Sequence, residues 1–100
     1  MNYGLPDETI TAITSAFAQY PTIDKAILYG SRAIGTYKNG SDIDLTLCGE
    51  NLTVQTLQDI MNTLDDLLLP YTIDLSLHSH LDNPALLEHV QRVGVVFYEK

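Results

Sequence analysis

Apolar residues recur at three- and four-residue spacing between Pro6 and Tyr20, where Ile10, Ile13, Phe17 and Tyr20 fall on one face. That periodicity predicts an amphipathic helix. Pro6 suits its first turn, Asp7 and Glu8 suit the positive end of its dipole, and Pro21 stops it. Lys25 to Tyr29 is a short apolar run ending at Gly30, the pattern of a buried strand. Ile43 to Cys48 alternates apolar and small polar residues, a second strand. A longer helix is predicted from Thr53 to Leu69, with Val54, Leu57, Ile60, Met61, Leu64 and Leu68 facing inward and Pro70 ending it. Tyr71 to Leu77 reads as a third strand. Asn83-Pro84 opens a further helix that runs to about Arg92 with Leu86, Leu87 and Val90 inward. Gly94 suits its exit, and Val95 to Tyr98 forms a last strand.

The order helix, strand, strand, helix, strand, helix, strand predicts an α/β (α+β) domain, a small mixed sheet flanked by helices. The 100 residues suit one domain spanning 1–100. Residues 43–47 read IDLTL and residues 73–77 read IDLSL. Each segment puts three aliphatic residues on one strand face and an Asp with a small hydroxyl residue on the other. Two strands thus share a design, an oily back and a polar front bearing a carboxylate.

Charge narrows the function classes. Thirteen acids against five bases give a net charge of −8, which argues against gripping duplex nucleic acid by its phosphates. It argues equally against an anionic membrane surface, and no apolar stretch approaches the ~20 residues of a spanning helix. Lys25, Arg32 and Lys38 lie close together in sequence, so anion-binding capacity concentrates there. The single cysteine, Cys48, excludes an internal disulfide. With no signal-peptide pattern at MNYGLPDETI, this fits a cytoplasmic location.

The candidate chemistry begins at Ser41-Asp42-Ile43-Asp44. Residues two apart on a strand share a face, with Cα atoms ~6.6 Å apart, so Asp42 and Asp44 can converge on a hard cation. Asp74 joins them if the strands at 43–48 and 71–77 are neighbours. Three packed carboxylates raise one another's pKa, and a divalent cation removes that cost. On spacing alone, an Asp-x-Asp pair is more often a solvated strand start beside a turn. Upstream, Tyr29-Gly30-Ser31-Arg32 follows a buried strand. Gly30 lets the backbone approach a ligand closely. If a short helix opens at Ser31, its free N–H groups and hydroxyl attract a phosphate, and Arg32 adds charge. Gly-Ser also serves a plain strand-to-helix turn; its spacing before the Asp-x-Asp strand gives it weight.

The segment GSRAIGTYKNGSDIDLTL resembles the signature of the polymerase-beta-like nucleotidyltransferases. The chain is similar, over nearly its whole length, to the minimal nucleotidyltransferases (MNT type). The resemblance implies that Gly30, Ser31 and Arg32 bind a nucleoside triphosphate, and that Asp42, Asp44 and Asp74 are catalytic and bind metal, with two Mg²⁺ ions. It implies transfer of a nucleotide, AMP from ATP, to an acceptor hydroxyl with release of pyrophosphate. Such proteins pair with small all-helical HEPN proteins as antitoxin and toxin, so the implied acceptor is a partner hydroxyl, a tyrosine, within a hetero-oligomer or homodimer. The rival reading is a module that holds a nucleotide or a helical partner and catalyses nothing. Transfer to a small molecule such as an aminoglycoside is a weaker third. Many relatives carry Gly-Ser-Arg-Ala-Arg-Gly where this chain has Ile34, so one basic contact is missing; Lys38 reads first as a solvated turn residue.

Other residues carry less. His78, His80 and Asp82 make at best an incomplete zinc set. His89, between inward-facing helical positions, reads as a surface or interface residue. Cys48 reads as a small buried residue, and Ser31 has no Ser-His-Asp set around it. Tyr37 could stack on a base.

Overall fold

The computed structural model describes residues 2–100. Its elements are α1 (Asp7–Ala18), β1 (Lys25–Tyr29), α2 (Ser31–Ile34), β2 (Ile43–Cys48), α3 (Val54–Asp65), β3 (Ile73–Leu77), a 3-10 turn (His78–His80), α4 (Pro84–Val93) and β4 (Val95–Glu99). The four strands form one mixed sheet in the order β3-β2-β1-β4. β1 is antiparallel to both β2 and β4, and β2 is parallel to β3. A parallel pair needs a crossover connection, and α3 supplies it.

Helix α1 starts where the sequence signals it. Pro6 is the N-cap in an extended conformation, with Asp7 and Glu8 in the first turn. The helix ends at Ala18, before Tyr20. Ile13 and Phe17 are fully buried against the sheet. Tyr20, past the end, instead exchanges a 2.6 Å hydroxyl hydrogen bond with Thr63 of α3, tying the two helices together.

Helix α3 departs from expectation in length and in face. Thr53 caps it, accepting from Thr56 N at 3.1 Å. It stops at Asp65 rather than Leu69, and Leu68 turns into the left-handed region at φ 53°. Ile60 and Leu64 are buried, whereas Val54, Met61 and Leu68 are exposed, Leu68 by 87%. The inward stripe is therefore narrower than the run of apolar residues. The helix packs on α1 and β3 through that stripe, and the outer apolar positions face away from both.

Alternation sorts the strands. Ala26, Leu28, Ile43, Leu45, Leu47, Leu75 and Leu77 point into the core with α1 and α3. On β4 the register slips between the partners of Ala26 and Ile27. Such a bulge re-aims side chains; Phe97 meets the Tyr3 ring and Tyr98 the Phe17 ring. Helix α4 is capped by Asn83, whose side chain accepts from Ala85 N and Leu86 N. At its exit, a Cβ on Gly94 would collide with the Val90 carbonyl oxygen and lie 2.7 Å from Ile27 Cγ2, so glycine allows α4 to close on β1. Among the described residues, no helix is long and apolar enough to cross a membrane.

Candidate active site

The two halves of the IDLTL/IDLSL repeat lie side by side. In the parallel β2–β3 pair, Ile43 meets Ile73, Asp44 meets Asp74, Leu45 meets Leu75 and Thr46 meets Ser76. Leu45 and Leu75 are buried in the core, so the alternate residues Asp44 and Asp74 emerge on the opposite face. On the other side of β2, Tyr29 pairs with Asp44. A row thus crosses three strands in the order Tyr29, Asp44, Asp74, with strands ~4.8 Å apart. Behind it, Ser76 Oγ donates to the buried Thr46 Oγ1 at 3.0 Å. Asp42 stands exposed at the mouth of β2, two residues before Asp44.

Gly30 and Ser31 close the row at the end of β1. Gly30 adopts φ 75°, ψ −158° and caps α2, its carbonyl accepting from Ala33 N and Ile34 N, each at 3.1 Å. A Cβ there would collide with Asp44 Oδ2. Glycine is what brings the turn against the carboxylate. Since α2 is one turn of four residues, its dipole is slight, and the Ser31 hydroxyl and the approach of the bare backbone matter more.

Arg32 is drawn into the fold. It is 3% exposed. Its Nε and Nη2 donate to the Ser41 carbonyl at 3.1 and 2.9 Å, and its Nη1 donates to the Tyr3 carbonyl at 2.9 Å. The rings of Tyr37 and Tyr71 stand 5.4 and 5.3 Å from its Cζ. The guanidinium is thus committed to fastening the loop that delivers Asp42, a positioning task, and Tyr37 stacks on it. The loop is braced again where Lys38 N donates to Ser41 Oγ at 2.8 Å. Ile34 and the Lys38 side chain are exposed.

The electrostatics follow from this crowding. Burial, then the charges of Asp74 and Asp42, push the Asp44 carboxyl above its ordinary value, with His89 opposing. Burial raises the Tyr29 hydroxyl; a Ser76 hydrogen bond opposes, and Asp74 and Asp44 add to the rise. Tyr29 is a neutral phenol at neutral pH. Burial also raises Cys48, with Lys25 partly offsetting it, which leaves an inert thiol.

Among the described residues, no three His, Cys, Asp or Glu side chains gather tightly enough to enclose a metal by themselves. The chemistry of the open set still fits Mg²⁺. All three donors are carboxylates, they repel one another at Asp44, and Mg²⁺ usually takes one or two carboxylates together with water and substrate phosphate.

His89 reaches the site, which its sequence position does not signal. His89 of α4 is partly buried, and its Nε2 accepts from Gly30 N at 3.2 Å. Its ring stands edge-on to Tyr29, with centroids 6.1 Å apart at 82°. Only its facing of the sheet was signalled, since His89 lies three residues after Leu86. The Gly30 partner carried no signal.

The family described as "Polymerase beta, Nucleotidyltransferase" matches residues 11–100. Among solved structures, a toxin–antitoxin complex with AMP-PNP superposes with a TM-score of 0.69 at 21% identity, covering 96% of this chain and 75% of that one. A tri-AMPylated Shewanella oneidensis HEPN toxin in complex with its MNT antitoxin superposes at 0.66 and 17% identity, covering 93% and 71%. A nucleotidyltransferase-like protein from Sulfolobus solfataricus superposes at 0.56 and 20% identity, covering 91% and 77%. At these identities the likeness is one of fold. No curated protein sequence matches the chain.

Proposed function

We propose, for a chain that belongs to the polymerase beta nucleotidyltransferase family, that it transfers AMP from ATP to a hydroxyl on a HEPN-type partner and acts as that partner's antitoxin. The observation that carries this reading is the in-register pairing of Asp44 with Asp74, with Asp42 at the mouth of the same strand and Gly30 held against Asp44. The acceptor assignment draws support from the solved complex of an AMPylated HEPN toxin with an MNT antitoxin.

In this reading Gly30 leaves room for the triphosphate and the Ser31 hydroxyl donates to it. Asp42, Asp44 and Asp74 would hold Mg²⁺, which when bound offsets phosphate charge and favours an in-line displacement at the α-phosphorus. Arg32 keeps Asp42 in place through Ser41. The acceptor oxygen bonds to the α-phosphorus, the bond to the β-phosphate oxygen breaks, and pyrophosphate and a proton leave. Thr46 and Ser76 support the floor beneath the two facing aspartates. The neutral Tyr29 adds no charge to the site.

The test is pyrophosphate release by the chain with a HEPN-type partner, ATP and Mg²⁺, beside Asp74→Asn. Release that disappears in Asp74→Asn while the complex still forms supports the enzyme. A stable complex with no release from the native chain supports a module that only binds.

A further inference from the structure

One polar contact reaches the site from outside the sheet. Gly30 N donates to His89 Nε2 at 3.2 Å, and the imidazole stands edge-on to Tyr29. We infer that His89 is a positioning residue for the triphosphate: its unprotonated Nε2 fixes the Tyr29–Gly30 peptide, and through it the Ser31 hydroxyl and the approach of Gly30 to Asp44. This rests on the nucleotidyl-transfer reading and adds to it a residue on a different element.

The need for such a tie follows from Gly30 itself. Its φ 75°, ψ −158° is one of several wells that glycine enters freely, so the chain must select it. On the C-terminal side the choice is made by the Gly30 carbonyl, which accepts from Ala33 N and Ile34 N. On the N-terminal side it is made by His89. The imidazole can do this because α4 is a firm platform. Val90, the next residue, is buried, Asn83 caps the first turn, and the Gly94 exit sits hard against Ile27. The donor is a backbone N–H, so this contact requires a lone pair on Nε2, which in a neutral imidazole places the proton on Nδ1. The Gly30 N–H is then spent on the imidazole, and the Ser31 hydroxyl is a donor this turn still offers to phosphate.

Two substitutions and one spectrum test the inference. His89→Gln keeps an acceptor oxygen on a side chain of similar reach, and His89→Leu keeps bulk without an acceptor. AMP-PNP with Mg²⁺ is titrated calorimetrically into each, alongside thermal melts. The expected result is a dissociation constant about tenfold higher in His89→Leu, as one lost hydrogen bond implies, and within about threefold of native in His89→Gln. Imidazole ¹⁵N shifts of the native chain should report the Nδ1–H tautomer. A merely structural His89 would shift the melts and leave AMP-PNP affinity per folded molecule unchanged. Native-like binding by His89→Leu, equal losses in both variants, or an Nε2–H tautomer overturns the inference and leaves the nucleotidyl-transfer reading standing. A native chain that binds no AMP-PNP brings down both.

Discussion

Placing a methyl group on Gly30 separates backbone strain from crowding at the site. Gly30 occupies φ 75°, ψ −158°, a region essentially reserved for glycine, and a residue forced there costs about 1–3 kcal/mol. The new Cβ also collides with Asp44 Oδ2, so Asp44 must move or the turn must open, adding a further ~1 kcal/mol by analogy with overpacking. Gly35 is the control for strain alone, with φ 98° and nothing within 4 Å of a built Cβ; Gly35→Ala should cost about 1–2 kcal/mol. Gly40 has open space and no left-handed φ, so Gly40→Ala should stay within about 0.5 kcal/mol. The total for Gly30→Ala is about 2–4 kcal/mol, which for a domain of this size is a fall of roughly 10–25 °C in Tm. Urea melts of the three variants check the order. The double variant Gly30→Ala/Asp44→Ala checks the cause: with the carboxylate gone, the collision vanishes and the cost of the methyl group shrinks toward that of Gly35→Ala. A Gly30→Ala chain as stable as Gly40→Ala, or costs that simply add in the double variant, would refute the reasoning.

Three other outcomes follow from the same geometry. The Asp44 carboxyl is raised, so the folded chain favours its protonated form; that contribution is complete below the ordinary carboxylate value and is lost as pH rises through the higher folded value. Asp44→Asn should therefore gain in Tm over the native chain as pH climbs out of the carboxylate range, and Mg²⁺ should narrow the gap; a difference that ignores pH contradicts this. Arg32→Lys cannot reach both carbonyls in the same fork and should lose about 2–3 kcal/mol in urea melts, whereas a loss under about 0.5 kcal/mol would mean the loop before Asp42 is held by something else. Leu68 is left-handed and exposed, so Leu68→Gly should be neutral or gain up to about 1 kcal/mol in the same melts; a clear loss would mean that its side chain is buried in solution.

The periodicities of α1 and α4 and the alternation along β2 were legible because each reports a face that one layer of core covers. The aspartates were legible as residues, and their meeting rested on the condition that their strands adjoin. The condition holds, since the crossover through α3 sets β3 parallel to β2 in the register that joins the repeats. The end of α3 was not legible, because the apolar run continues through Leu67, Leu68 and Leu69, and Leu67 and Leu69 still pack on the core after the helix has ended and Leu68 has turned left-handed. The backbone partners of Arg32 and His89 were not legible, for a shared reason. A charged or titratable side chain beside a glycine turn looks like a ligand contact or a surface group. What holds each of these two side chains is a backbone carbonyl or N–H, at Ser41 and at Gly30, and a backbone atom leaves no mark in the sequence.

The central claim is transfer of AMP to a partner hydroxyl by the Asp42, Asp44 and Asp74 face. Its most direct test is the intact mass of a co-expressed HEPN-type partner after incubation with this chain, ATP and Mg²⁺, beside Asp42→Asn/Asp44→Asn. The account predicts a gain of one or more AMP units that the double variant abolishes. A partner mass that stays unchanged with the native chain, or one that rises equally with the double variant, would contradict it.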